Sequence, residues 1–358
     1  MGSPQFKDYK LYTEDFSAAD SYRQAYSDSL YAFIAAKRTD SAAVRDAFMP
    51  PEAYARDPES FRRRYVEMLG APLTEYAYSV VSGKEDYVAT DDLCRITRVT
   101  LEIFPGFHFY GMLMEPTVSI RKDKNGRYPL VICQHGGGGT PELCSDMHGE
   151  NNYSHMTRRV LEYGAVVFAP QLYLWNSTHY AVVQKRGEVD RELKRYGSSI
   201  VGLEIYCIRK VIDYMTAKPF IDPERIAMHG LSYGGMYTMY TMAAEPRIAA
   251  GYSCGCFNDR AEPTVLADLV FSGSGNTFMD AEVAGLCAPR SLYLDVGMSD
   301  TVFNYKTAEA EYTRVPRYFA ACGVPDNVRF NLWEGGHTVC DRDDGYEFLF
   351  AALDRKLP

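Results

Sequence analysis

Short, unbroken apolar runs alternating with segments of helical spacing constrain this chain more than any other feature. The runs are YPLVICQ (128–134) and AVVFAPQ (165–171); RIAMH (225–229), SLYLDV (291–296) and VRFNLWE (328–334) read as further strands. A strand with one wet face alternates apolar and polar residues. A run apolar along most of its length suits a strand covered on both faces, as in a parallel sheet. The segments between have room for crossover helices. Residues 153–163 allow one, and 203–217 place Ile205, Ile208, Val211, Ile212 and Met215 on one helical face before Lys218-Pro219. MYTMYTMAA (236–244), residues 307–321 and YEFLFAALDRKL (346–357) continue the series. The repeated strand–helix order implies an α/β fold with a mostly parallel central sheet flanked by helices. Ahead of it, CRITRVTLEIF (94–104) and FHFYGMLMEP (107–116) predict an antiparallel pair around Pro105-Gly106. Ile221-Asp222-Pro223-Glu224 reads as a turn. Residues 171–199 and 253–280 fit no regular element and fall just after strands, where loops over a site would lie.

The first ninety residues read differently. Tyr22, Ala25, Tyr26, Leu30, Phe33 and Ile34 recur at threes and fours, predicting a helix over 18–48 that Pro50-Pro51 stops. Asp57-Pro58 opens another, closed by Gly70. The division expected is a helical N-terminal extension, 1–92, packing on a main domain, 93–358. At 358 residues the chain is long enough for one large α/β domain with such an addition.

Composition excludes several classes. Lys and Arg number 38 against 47 Asp and Glu, a net charge of −9, which argues against a nucleic-acid or anionic-membrane surface. No apolar run approaches the roughly 18 residues of a membrane span. MGSPQFKDYK at the start has no apolar signal core. Nine cysteines, an odd and scattered set, do not form a disulfide framework. The expectation is a cytoplasmic protein with no structural disulfide, no nucleic-acid partner and no membrane partner; self-association stays open.

Chemistry concentrates at strand ends. Gly230-Leu231-Ser232-Tyr233-Gly234 follows a strand and precedes a helix, the setting in which a tight turn pushes a serine out at the sheet's carboxyl edge. Ser232 is therefore the candidate nucleophile. His135-Gly136-Gly137-Gly138-Gly139 follows YPLVICQ; consecutive glycines can leave backbone N–H groups free for an oxyanion. A serine nucleophile needs a base and a group to orient it. His337, after the last strand, and Asp300, in the loop after SLYLDV, supply them in type and position. Asp295 lies inside that strand, where its side chain would be packed away from the edge. His108 and His229 read as structural; His148, His155 and His179 are not located by the sequence. No metal-ligand spacing is present, and no cofactor is called for. Tyr173, Trp175 and Tyr180 are candidates for a substrate wall.

These segments resemble the α/β-hydrolase superfamily, and within it the acetyl xylan esterase and dienelactone-hydrolase-like branch. The resemblance rests on HGGGG (135–139), IDPERIAMHGLSYGG (221–235), LCAPRSLYLDVGMSD (286–300) and GGH (335–337), and covers about 95–355. It implies the α/β-hydrolase fold, with Ser232 as nucleophile, His337 as base and Asp300 as its partner. It also implies oxyanion donors from the backbone N–H of Tyr233 and of a glycine such as Gly137 or Gly138. Thr338 follows His337, where the xylan and cephalosporin deacetylases carry an acidic residue.

The function expected is hydrolysis of a carboxylic ester, a short acyl group such as acetyl on a carbohydrate or other polar alcohol, so that the partner is a small ester or an acylated oligosaccharide. The alternative is a peptidase or amidase of prolyl-oligopeptidase type, a group that also carries G-x-S-Y-G-G but usually sets a large β-propeller ahead of the domain, which ninety helical residues cannot build. A non-catalytic binding protein on the same fold is a third reading, against which the intact Ser, Asp and His argue.

Overall fold

The computed structural model describes residues 9–75, 82–261 and 266–355. Nine strands form one sheet: β1 (Gly83–Thr90), β2 (Cys94–Phe104), β3 (Phe107–Pro116), β4 (Tyr128–Gln134), β5 (Val166–Pro170), β6 (Ile221–Leu231), β7 (Ile248–Cys254), β8 (Ser291–Gly297) and β9 (Val328–Trp333). They lie in the order β1-β2-β3-β5-β4-β6-β7-β8-β9. The first three pair antiparallel, β3 meets β5 antiparallel, and everything from β5 through β9 is parallel. The apolar runs are covered on both faces, β5 and β8 buried at every position and β4 at all but its first, whereas β9, at the sheet edge, is buried only at Val328.

Two strands were not legible. β1 is polar and almost wholly exposed at the edge of the sheet, so no hydrophobic pattern marks it. It also moves the start of the sheet to Gly83, inside the stretch assigned to the helical extension. β7, IAAGYSC, is short of large side chains because a helix lies close: a Cβ on Gly251 would sit 2.9 Å from Met242 Sδ. The expected turn at 221–224 is instead the start of β6, absorbed by an irregularity in its pairing with β4 between Tyr128 and Leu130.

Helices cover both faces. On one, Ile200–Thr216 and Tyr233–Ala244 pack with Pro51–Arg56 and Pro58–Leu69; on the other lie Met156–Glu162 and Asp344–Asp354. The expected helix over 307–321 is two, Tyr305–Tyr312 and Pro316–Ala321, because Pro316 cannot continue a helix and instead opens one. Pro58–Leu69 starts as its sequence predicts, with Asp57 Oδ1 accepting from Ser60 N–H at 3.1 Å and Gly70 following its end.

The helix over 18–48 forms as Asp20–Phe48, but its apolar stripe does not dock. Tyr22, Tyr26, Leu30, Phe33 and Ile34 are all exposed, and only Ser41 and Arg45 are buried along it. Attachment comes from its last turns and the two helices after it. Arg45 Nη1 reaches Glu282 at 2.5 Å and Glu311 at 2.8 Å, and the phenol of Tyr54 donates to the carbonyls of Leu286 and Ala288 at 3.1 and 2.6 Å. All nine cysteines are free thiols. Among the described residues no helix is long and apolar enough to cross a membrane.

Candidate active site

Five strands of the parallel part deliver their carboxyl ends to one edge. β4 runs into His135–Gly139, β6 into Ser232, β7 into Gly255, β8 into Met298–Asp300 and β9 into Gly335–His337.

Ser232 stands between β6 and helix Tyr233–Ala244 with φ 60° and ψ −122°, a backbone region an L-residue adopts only under strain of roughly 1–3 kcal/mol. The surroundings impose it. Ser232 N–H donates to Cys254 O at 2.9 Å, and the turn is too tight for side chains on either flank. A Cβ on Gly230 would lie 2.5 Å from the Gly234 carbonyl, and one on Gly234 would lie 2.0 Å from Gln134 O. The G-x-S-x-G spacing is therefore a packing requirement of this turn.

His337 and Asp300 meet as the sequence expects. His337 Nδ1 and Asp300 Oδ2 are 2.8 Å apart. A carboxylate can only accept, so Nδ1 carries the proton and Nε2 is left for other work. Asp300 is fully buried as a side chain, and its Oδ1 accepts from the N–H groups of Val302 and Phe303 at 2.7 and 3.0 Å. Burial pushes this carboxyl's pKa up, but the His337 bond and the two N–H groups outweigh it and hold it below the usual range. The imidazole lies over Gly255, where a Cβ would come within 3.5 Å of Nδ1, and beside the Phe303 ring at 5.7 Å. Asp295 is different, as its place inside β8 requires. It is buried, accepts from Asn331 Nδ2 at 2.6 Å and Tyr252 Oη at 3.2 Å, and burial raises it to about 6.

The glycine run offers fewer free donors than its sequence promises. Gly136 N–H donates to the Tyr153 hydroxyl at 2.8 Å, Gly138 N–H to Leu174 O at 2.7 Å and Gly139 N–H to Gly136 O at 3.1 Å. Gly138 is thereby removed as an oxyanion donor, since its N–H is spent on the neighbouring loop. Gly137 N–H bonds to no described residue. The run stands beside the serine: a Cβ on Gly136 would lie 3.1 Å from Ser232 Cβ, and one on Gly137 would lie 3.3 Å from the Tyr233 ring. Tyr233 is the first residue of its helix, so its N–H has no acceptor within it. His135 is structural. It is buried, its Nδ1 is 2.8 Å from Gly136 O, its Nε2 accepts from Leu172 N–H at 3.0 Å, and burial holds its pKa down near 4.

A cavity of about 500 Å³ opens at Ser232, walled by Tyr233, Cys256, Arg260, Leu269 and Phe303 among others. Tyr173, Trp175 and Tyr180 are not in its wall. Trp175 bridges to Gly138 and its indole N–H donates to Val182 O, while the Tyr180 hydroxyl lies 3.5 Å from Thr140 Oγ1. The wall comes from the segment after β7, within the 253–280 stretch expected over the site, and from the loop after β8; which of their residues line it was not legible in the sequence. A second missed feature is buried Arg186. It donates to Asp268 at 2.6 Å, Glu204 at 2.9 Å and the Tyr237 hydroxyl at 2.8 Å, and lies 5.3 Å from the Tyr233 ring. Tyr233 Oη also donates to Asp268. The two irregular segments are thus clamped to each other and to the residue after Ser232. Among the described residues no cluster of three metal-ligating side chains occurs.

The sequence pattern of the Prolyl oligopeptidase family matches residues 207–258, from the helix before β6 to just past β7. YtaP of Bacillus subtilis (strain 168), designated a hydrolase, is 24% identical over 187 residues, 48% of this chain. The match spans 62% of that relative's length. Among solved structures, BF1801 of Bacteroides fragilis NCTC 9343, designated an acetyl xylan esterase, superposes with a TM-score of 0.64 at 15% identity, covering 80% of this chain and 76% of that one. Methylesterase BT1017 gives 0.62 at 18% identity, covering 89% and 68%. The fold is the α/β-hydrolase fold, with a helical segment preceding the sheet.

Proposed function

We propose that this protein is a serine hydrolase of carboxylic esters, acting on a short acyl group such as acetyl carried by a carbohydrate or other polar alcohol. The observation that carries the reading is the His337–Asp300 pair, 2.8 Å apart, at the same sheet edge as a serine held at φ 60°. Ser232 Oγ attacks the ester carbonyl while its proton passes to His337 Nε2. The Oγ–C bond forms, and the oxyanion is met by the N–H groups of Tyr233 and Gly137. Collapse breaks the bond to the alcohol oxygen, which leaves with the proton from His337. Water, deprotonated by His337, then releases the acid and restores Ser232. Asp300 accepts from Nδ1 throughout, fixing the tautomer and stabilising the imidazolium.

Likeness to structures designated acetyl xylan esterase and methylesterase supports ester over amide. The cavity supports a substrate larger than its acyl group: about 500 Å³ is the size that takes a drug-sized molecule, far more than two carbons need. The test is release of acetate from acetylated xylo-oligosaccharides, set beside cleavage of a dipeptide amide. Acetate release with no amide cleavage is expected; faster amide cleavage would favour the peptidase reading.

A further inference from the structure

Arg260 is a cavity residue that no step above uses. It follows β7, its side chain is only 7% exposed, and it shares the cavity with Ser232. One edge of its guanidinium is fully engaged. Nε donates to Asp280 Oδ1 at 2.9 Å, and Nη2 lies 2.8 Å from both Asp280 Oδ2 and Cys256 O. Asp280 is itself immobile, completely buried and accepting from Tyr240 Oη and Asn258 N–H, each at 3.0 Å. Nη1 bonds to no described residue, yet it is not among the side-chain atoms sealed in the interior without a partner. The cavity is the open space beside it. The Phe303 ring lies 5.7 Å from this guanidinium and 5.7 Å from the His337 ring, so Arg260 stands one aromatic ring away from the imidazole.

Such a group is a preorganised donor: a rigidly held N–H pair bordering the cavity that would take the larger flank of a substrate. Its preferred acceptor follows from the local charge. Asp280 already neutralises the guanidinium, and the Asp259 carboxylate also lines the cavity. A carboxylate on the substrate would bring a further negative charge against a cation already paired. An uncharged oxygen keeps the hydrogen bond without that repulsion.

On the footing that Ser232 carries out ester hydrolysis, we infer that Arg260 is the specificity residue of this site: Nη1 donates to a neutral hydroxyl or ring oxygen of the substrate's larger flank. The substrate class is esters of uncharged sugars. Phe303, which the guanidinium sits over and the His337 ring flanks, holds that donor near the imidazole.

The test compares kcat/KM for a monoacetylated methyl xyloside, its deoxy analogues and 4-nitrophenyl acetate. In the wild-type protein, one deoxy analogue should lose roughly 10–100-fold relative to the parent, the worth of a hydrogen bond to a charged group. In Arg260→Lys the ratio of sugar acetate to aryl acetate should fall by a similar factor, and the deoxy penalty should vanish. If Arg260→Lys does not fold, Arg260→Gln combined with Asp280→Asn removes both charges together and should give the same two results. Deoxy analogues that all match their parent, or a ratio unmoved in a folded Arg260 variant, would overturn the assignment of Arg260 while leaving the esterase reading intact. A larger loss on a uronic-acid ester than on the neutral sugar would overturn the neutral-acceptor class. No turnover of any ester by the wild type would overturn both readings.

Discussion

Asp295 and Asp300 lie five positions apart and do opposite things, because one is inside a strand and the other beyond its end. Asp300 faces an imidazole and two N–H groups, so its carboxylate is stabilised. Asp300→Asn should keep the fold and lower kcat by on the order of 10⁴, since an amide selects the wrong imidazole tautomer. Its pKa is held down, so it contributes stability at pH values above the ordinary carboxylate range that is lost as pH falls through its folded pKa. Asp295 is buried with two donors that do not offset its desolvation, and its pKa is raised to about 6. The folded state therefore holds this proton more tightly than the unfolded chain. Measured against Asp295→Asn, wild-type stability should fall as pH rises from about 4 to about 6, by on the order of 3 kcal/mol. Urea titrations of both proteins at several pH values check this, and a flat difference would contradict it. Asp295→Asn should also cost far less kcat than Asp300→Asn.

The elbow was legible because its glycines answer to geometry that sequence displays: strand before, helix after, small residues two positions on either side of Ser232. Gly234→Ala tests that reasoning. Its new Cβ would meet the Gln134 backbone carbonyl, which cannot swing away, so a loss of at least about 3 kcal/mol is expected, at or beyond the usual cost of overpacking. Thermal melting reads it, and an unchanged Tm would contradict it. The glycine run was legible only in part. Its composition announces a flexible backbone, but not that Leu174 and Tyr153 consume the N–H groups of Gly138 and Gly136; those partners come from segments with no periodicity. Tyr173, Trp175 and Tyr180 are aromatic residues of the segment after β5. That loop borders the glycine run, pairing with Gly138, and contributes nothing to the cavity wall. Arg186 gives no local pattern, because its partners Glu204, Tyr237 and Asp268 lie 18, 51 and 82 positions away on three separate elements.

At the level of the whole molecule, the mostly parallel strands and their crossover helices follow from apolar runs and helical spacing and were largely readable, whereas the strand order, β1, β7 and the attachment of the N-terminal helices were not. The sequence shows a stripe from Tyr22 to Ile34, yet that stripe faces solvent while Arg45, Tyr54 and Tyr65 do the docking. Burying a cation between two buried carboxylates is invisible to any periodicity. It is also consequential: Arg45→Ala would leave buried Glu311, already raised by burial, without its cation, and Glu282 with only Arg314 at 2.7 Å. A loss of about 3–5 kcal/mol is expected, the range for breaking a buried ion pair by removing one partner. Chemical denaturation measures it, and a loss under about 1 kcal/mol would show that these helices do not brace the sheet.

The central claim is that Ser232 forms a covalent acyl intermediate in a site that His337 and Asp300 activate. Reaction with a fluorophosphonate probe followed by peptide mapping tests it most directly. The account predicts one equivalent of label on Ser232, no labelling of Ser232→Ala, and a loss of ester hydrolysis in that variant on the order of 10⁴–10⁶ in kcat with an unchanged melting temperature. Label on any other residue, or substantial turnover by folded Ser232→Ala, would contradict it.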